Sequence, residues 1–373
     1  MEQRIITANG NYKEVDSWLK GLQRVLLVCG KSISKQKINA YFEELPARLG
    51  VEIIRFSDFA PNPLYESVVK GVKIFRDNRC DAIIAVGGGS ALDVAKCIKL
   101  YSTLPSNGEN GEWLGQAVEN SIPFLAMPTT AGTGSEATRY AVVYYDGKKQ
   151  SITSDNIIPD TVLMDASVLK TLPEYQKRAT MCDALCHAIE SFWSVNSTDE
   201  SKEYSTKAIK AVMKHMDGYL ANTDEGNAGM LLAANTAGKA INITQTTAGH
   251  AMCYKLTSMF GLSHGHAAIL CDRVLFPWMV ENTDKCIDPR GEKYLKKTLD
   301  EISIAMGCAD GKIGAERLVQ IFEGLGFEIP KATEEQFIEL KTSVNLVRLK
   351  NHPVALDEET IDMLYRRILK GAK

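Results

Sequence analysis

Four of the six histidines fall in two short segments, and three of them with one aspartate form a set able to hold a metal ion. In Asp183-Ala-Leu-Cys-His187 a carboxylate and an imidazole stand at i and i+4, on one face of a helix, where both can reach one ion. A buried Asp-His hydrogen bond would give the same pattern, so this pair alone does not decide the matter. The second segment reads Gly249-His250-Ala-Met-Cys-Tyr254-Lys255, then Gly261-Leu-Ser263-His264-Gly265-His266. Gly261 can end one helix and Ser263 can cap the next, so that two facing helices supply His250 and His264. Three imidazoles and one carboxylate suit Fe(II) or Zn(II), and the carboxylate tilts the choice toward iron. His266 either supports a ligand or carries a proton.

A second chemistry is written earlier in the chain. Ala82-Ile-Ile-Ala-Val86 runs into Gly87-Gly88-Gly89-Ser90 and then Ala91-Leu-Asp93-Val-Ala-Lys96, a strand, a glycine turn and a helix start. Glycines let the backbone approach a pyrophosphate, and the amides at a helix N-terminus stabilise its charge. Ser90 is either the helix cap or a phosphate donor, and a tight turn is the plain alternative for the whole motif. A second loop, Pro128-Thr129-Thr130-Ala131-Gly132-Thr133-Gly134-Ser135-Glu136, follows another apolar run at the place where ligands of open α/β sheets bind. Two such loops suggest one dinucleotide. Gly88, Gly89, Ser90, Asp93, Thr129, Thr130 and Thr133 are its expected contacts, with Asn62 and Lys149 as further polar candidates.

These residues need a scaffold. Short β-branched runs at Arg24 to Cys29, Val51 to Phe56, Asp81 to Val86 and Pro123 to Met127 alternate with helical patterns, the rhythm of a parallel sheet with crossover helices. Tyr140 to Tyr145, Asp146-Gly147 and Gln150 to Ile152 read as a hairpin, followed by a last strand at Thr161 to Met164. Beyond Pro173, apolar residues recur at spacings of three and four. The expected fold is therefore a Rossmann-like α/β domain over residues 1–172, for the dinucleotide, and an all-helical domain over 173–373, for metal and substrate. A chain of 373 residues has room for two such cores.

Composition narrows the class. Hydrophobic residues at 45% and charged residues at 24% fit a globular protein, and a net charge of -3 points to no nucleic-acid partner. No run of about 18 apolar residues and no secretion signal is present, so no membrane association and a cytoplasmic location are expected. The nine cysteines are scattered without a paired spacing, which argues against disulfides and a thiolate zinc site.

With these motifs in order, the chain resembles the metal-dependent, iron-containing alcohol dehydrogenase family. The likeness runs from Asn62-Pro63 through Gly87 to Lys96, Pro128 to Glu136, Asp183 to Glu190 and His250 to Gly265. It implies the dehydroquinate synthase-like fold, with metal and nicotinamide in a cleft between the domains, and a homodimer. It also implies Asp183, His187, His250 and His264 as ligands of Fe(II), or alternatively Zn(II). Many members carry a histidine four residues after the third ligand; here Tyr254 stands there, making Tyr254 or His266 the expected proton carrier. Related NAD-specific enzymes place an aspartate at the position of Gly30, so Gly30, Lys31 and Ser32 imply that NADP(H) is accepted as well as NAD(H).

Tyr254, Trp193-Ser-Val-Asn196 and Leu262 to His266 are similar to the phosphonoacetaldehyde reductase (hydroxyethylphosphonate dehydrogenase) branch. That implies a small anionic aldehyde, with Arg139 and Lys255 as candidate partners for its charge, although both side chains could equally face solvent or acids. A general short-chain alcohol dehydrogenase is the alternative. A dehydroquinate-synthase-like lyase is a rival from another class, and a nucleotide sensor without turnover is a third.

Overall fold

The computed structural model describes residues 3–8, 10–344 and 349–371, and they divide into two compact units, Met1–Leu172 and Pro173–Lys373. In the first unit, strands β1 (Arg4–Ala8), β2 (Arg24–Cys29), β3 (Glu52–Phe56), β4 (Ala82–Gly87), β5 (Phe124–Pro128) and β8 (Thr161–Asp165) form one parallel sheet in the order β1-β8-β5-β4-β2-β3. Strands β2, β4, β5 and β8 are buried almost throughout, which is why they read as continuous apolar runs rather than alternations. β1 was not expected from the sequence: it is a five-residue edge strand, half exposed, that pairs with β8.

The order β5-β4-β2 has a direct consequence. It sets the turn after β2, the glycine turn after β4 and the Thr-rich loop after β5 side by side at the carboxyl edge of the sheet, where the chain leaves β2 toward β3 and β4 toward β5, in opposite directions. The expected hairpin is present as β6 (Tyr140–Tyr145) and β7 (Lys148–Thr153), antiparallel and apart from the main sheet. Its turn residues Asp146 and Gly147 have φ of 49° and 67°, the left-handed pair that such two-residue turns require.

The second unit is helical. Its main helices are α5 (Glu174–Trp193), α6 (Asp199–Leu220), α7 (Asp224–Thr244), α8 (Ala248–Phe260) and α9 (His264–Glu281), following α1 (Lys13–Leu19), α2 (Lys37–Leu49), α3 (Tyr65–Asp77) and α4 (Gly89–Tyr101) of the first unit. Helix α5 packs against α6, α7 and α9. From Ala179 to Trp193 it is buried on nearly every side, yet it carries Asp183, His187 and Glu190 inward. Buried ionisable groups on a core helix need partners or a ligand. Among the described residues no helix is long and apolar enough to cross a membrane, and all nine cysteines are free thiols.

Candidate metal centre and nucleotide loops

Asp183 and His187 lie one turn apart on α5, His250 in the first turn of α8, and His264 at the first residue of α9. Gly261 ends α8 with φ of 67°, and Ser263 precedes α9 without a side-chain cap bond. Ligand atoms of Asp183, His187 and His250, all buried, come within 4.8 Å of one another. The rings of His187 and His250 stack at 4.4 Å, and that of His264 meets His250 edge-on at 5.1 Å. Asp183 Oδ1 stands 3.5 Å from His250 Nε2 and 4.0 Å from His264 Nε2. Asp183 Oδ1 and His250 Nε2 are buried and outside hydrogen-bond geometry among the described residues. Two converging unsatisfied atoms, in a set of one carboxylate and imidazoles, fit a divalent iron or zinc ion.

Behind His250 stands Glu190. Its carboxylate contacts His250 Nδ1 and accepts from the His250 amide at 3.1 Å, the Thr247 amide at 2.6 Å and the Thr247 hydroxyl at 2.7 Å. Burial pushes the Glu190 carboxyl up, but His250 and Thr247 outweigh it and hold it at about 2. Burial works against a charge on His250 too, and Glu190 and Asp183 outweigh it and raise its imidazole to about 10. At Asp183 burial opposes ionisation, and His187, His264 and His250 overcome it, keeping the carboxyl well below its ordinary range. Two glycines make room for this packing. A Cβ on Gly249 would lie 1.9 Å from Asp272 Oδ1 and 2.7 Å from Glu190 Oε1, and one on Gly265 would lie 1.9 Å from the Ala179 carbonyl and 2.7 Å from Asp183 Cβ.

His264 differs from the others: its side chain is 35% exposed, and its Nδ1 lies 3.6 Å from Cys253 Sγ. Tyr254 stacks on the His264 ring. His266 does not join this group. Its Nδ1 pairs with the Tyr175 hydroxyl and its Nε2 with the Glu328 carbonyl, each at 3.0 Å, and its ring stacks on Phe327 at 4.2 Å. Both nitrogens are thus engaged in holding chain segments together, which corrects the expectation of a proton carrier there.

Arg139 lies within 3.3 Å of the Tyr140 hydroxyl and 3.5 Å of Asp155, and Lys255 is 2.5 Å from Glu339, so both cations expected for a substrate anion have acids or hydroxyls of this chain beside them. Trp193 is buried, donating to the Thr247 hydroxyl at 2.8 Å, and Asn196 bonds to Asn351 at 2.9 Å. The Trp193-to-Asn196 segment therefore sits behind His250 as support.

In the first unit, α4 begins at Gly89 with Gly88 as its cap residue, so Ser90 lies inside the first turn and is not the cap. A Cβ on Gly88 would touch Thr130 at 3.3 Å, and one on Gly89 would touch Thr133 at 3.2 Å: the two loops are in contact. The Thr129 amide donates to the Gly87 carbonyl. Asp93 accepts from the Ser135 hydroxyl at 2.9 Å and the Val142 amide at 3.1 Å. It thereby ties α4 to the Thr-rich loop and β6 and braces the turn that the cofactor was expected to meet. Lys96, also buried, donates to the Thr138 and Tyr140 carbonyls, and burial lowers its ammonium to about 8. Lys149 lies near Asp93 on β7. Asn62 is an exposed turn residue with φ of 56°, the plain alternative for that position. Gly30 has φ of -75°, and a Cβ there would meet only Ser32 Oγ at 3.8 Å, so nothing in the turn demands glycine. Lys31 and Ser32 beside it are exposed.

Family models described as iron-containing alcohol dehydrogenase match residues 2–166 and, for the C-terminal part, residues 177–366. The chain belongs to the iron-containing alcohol dehydrogenase family. Among the relatives of this dehydrogenase are long-chain-alcohol dehydrogenase 1 of Geobacillus thermodenitrificans, 30% identical over 86% of this chain and 83% of the other, and phosphonoacetaldehyde reductase of Streptomyces viridochromogenes, 29% identical over 80% and 79%. The crystal structure of sulfoacetaldehyde reductase from Bifidobacterium kashiwanohense, in complex with NAD+, superimposes with a TM-score of 0.86 at 27% identity, covering 99% of this chain and 97% of that one. As a member of the family, the protein is an oxidoreductase acting on CH-OH groups.

Proposed function

We propose that the protein is a metal-dependent, NAD(P)H-linked reductase of small aldehydes, with Asp183, His187, His250 and His264 holding one Fe(II) or Zn(II). The convergence of Asp183 Oδ1 and His250 Nε2, buried and unsatisfied, within a donor set of one carboxylate and three imidazoles carries this reading. A bound divalent ion supplies Lewis acidity to the substrate carbonyl, and the nicotinamide supplies the hydride. The chain's own residues set the stage for both. Asp183 brings the negative charge, which favours a dication over solvent ions, and the stacked His187 and His250 present their rings to the same point. Tyr254 holds a proton at its hydroxyl, on a ring laid against His264, and delivers it to the nascent alcohol. In the first unit, Gly88, Gly89 and Ser90 at the start of α4, with Thr129, Thr130 and Thr133 facing them and Lys149 at the edge, would bind the dinucleotide phosphates.

The substrate reading is narrower. A two-carbon aldehyde bearing an anionic group is favoured by two similar proteins, whose names state phosphonoacetaldehyde and sulfoacetaldehyde. Arg139 and Lys255 lend it little, since each lies beside a group of this chain. The test is kcat/KM for phosphonoacetaldehyde, sulfoacetaldehyde, propanal and butanal with NADPH and NADH, in Fe(II)- and Zn(II)-loaded protein. Turnover of the anionic pair at ten times or more the rate of the neutral pair is expected. The reverse order leaves a general short-chain reductase, and no turnover with either metal would sink the enzymatic assignment.

A further inference from the structure

Helix α8 carries both His250 and Tyr254, and its start is fixed from outside. Thr247, its cap residue, makes no side-chain cap bond to the helix. Its hydroxyl is instead given to Glu190 of α5, whose carboxylate also collects the Thr247 amide, the His250 amide and His250 Nδ1. An acid at a helix N-terminus satisfies amides that have no partner within the helix. Here the acid comes from another helix, sixty positions earlier in the chain. The same Thr247 oxygen accepts from the indole of the buried Trp193 at 2.8 Å, so the arrangement continues as Trp193 to Thr247 to Glu190 to His250.

The geometry has a chemical consequence at His250. A carboxylate accepts and does not donate, so the Nδ1 facing it carries the proton. Nε2, the other ring nitrogen, is then the one turned toward Asp183 Oδ1, 3.5 Å away, and the one a metal ion would take. Glu190 reaches this position because residue 249 has no side chain: a Cβ there would come within 2.7 Å of Glu190 Oε1.

We propose that Glu190 is a positioning residue for the metal centre, fixing the tautomer and orientation of His250 and the start of the helix that bears it. This rests on the metal-site reading given above. Glu190 does not touch the reacting atoms; it acts through His250, and Trp193 and Thr247 hold it in turn. Outer carboxylates of this kind commonly change metal affinity by about 10- to 100-fold.

The test compares wild type, Glu190→Gln and Thr247→Val, all full-length. Zn(II) affinity is measured by chelator competition, and the visible absorption of the Co(II)-loaded protein reports coordination geometry. NADPH binding by fluorescence checks that each variant is folded. For Glu190→Gln, a dissociation constant raised roughly 10- to 100-fold with an altered Co(II) spectrum and intact NADPH binding is expected. A constant within about twofold of wild type, with an unchanged spectrum, overturns the proposal. Should Glu190→Gln fail to fold, Thr247→Val decides: several-fold weaker Zn(II) binding supports the assignment, and wild-type affinity overturns it. Wild-type protein that binds neither metal would bring down the metal-site reading itself, an outcome distinct from variants that match a metal-binding wild type.

Discussion

The phenol ring of Tyr254 stacks on the imidazole of His264, with centroids 5.5 Å apart and planes 21° from parallel. The tyrosine is thus held against the most exposed member of the histidine cluster, which makes it the candidate proton donor. Tyr254→Phe keeps the stacked ring and removes only the hydroxyl. It should lower kcat by about 100-fold or more while metal content and NADPH affinity stay as in wild type. A variant with undiminished kcat would remove Tyr254 from the mechanism.

His266 calls for the opposite result. With its two nitrogens bonded to Tyr175 and Glu328 and its ring on Phe327, its replacement should act on stability. His266→Ala is expected to lose about 2 kcal/mol or more in denaturant melts, through lost packing and unpaired polar partners. The kcat per folded active site should remain within a few-fold of wild type. A large fall in kcat without loss of stability would restore His266 as a proton carrier.

Metal binding should stabilise the second unit in proportion to how each ligand is buried. At a free metal concentration one hundred times Kd, linkage gives about 2.7 kcal/mol. Wild type should show that rise in thermal stability on adding Zn(II) and lose it with a chelator. His250→Ala should show none, because the buried set is broken. His264→Ala, which leaves Asp183, His187 and His250 in place, should keep a reduced rise at higher metal concentration. Equal rises in all three proteins would refute the ligand assignment.

The turn after β2 is open enough for a side chain at residue 30. Gly30→Asp should therefore fold normally and shift the ratio of kcat/KM for NADPH over NADH toward NADH, by about tenfold or more, as a carboxylate repels a 2′-phosphate and binds a ribose hydroxyl. Wild type should accept NADPH at least as well as NADH. Rejection of NADPH by wild type, or an unchanged ratio in the variant, would show that this turn does not meet the ribose.

His352 supplies a pH signature. It is fully buried, neither ring nitrogen has a hydrogen-bond partner among the described residues, and burial lowers its imidazole to about 4, against a smaller opposing pull from Glu190. A group whose folded pKa lies below its unfolded value is protonated first in the unfolded chain. Its contribution to stability is therefore whole above about pH 6.5 and is lost as pH falls toward 4, to a ceiling of about 3 kcal/mol. His352→Phe should melt with a shallower decline between pH 6.5 and 4.5 than wild type. Parallel curves would show that this histidine takes up its proton without cost.

Much of the candidate site was legible because its signals are local. Asp183 and His187 are one helical turn apart, so a single helix aligns them whatever surrounds it. The glycine turn between β4 and α4, and the Asp146-Gly147 hairpin, are likewise decided by the conformations that neighbouring residues can adopt. The alternation of buried strands with helices implied a parallel sheet for the same reason.

What the sequence could not supply depends on groups far apart in the chain. That Glu190 serves His250 follows from how α5 meets the start of α8, although its place three residues after His187, on the same helical face, was a hint. Asp93 and Ser90 had the right types beside a phosphate-like turn, yet packing of α4 against the Thr-rich loop made Asp93 a brace, and the helix start fell one residue before Ser90. His266 lies two residues from His264, and that offset turns its side chain to another face, toward Tyr175 and Glu328. Arg139 and Lys255 carry charge in any fold, but only the tertiary structure brings Asp155 and Glu339 within reach of them. Sequence alone determined which chemistry was available, since residue type and short spacing act within one element; which side chains reach that chemistry was decided by the packing between elements.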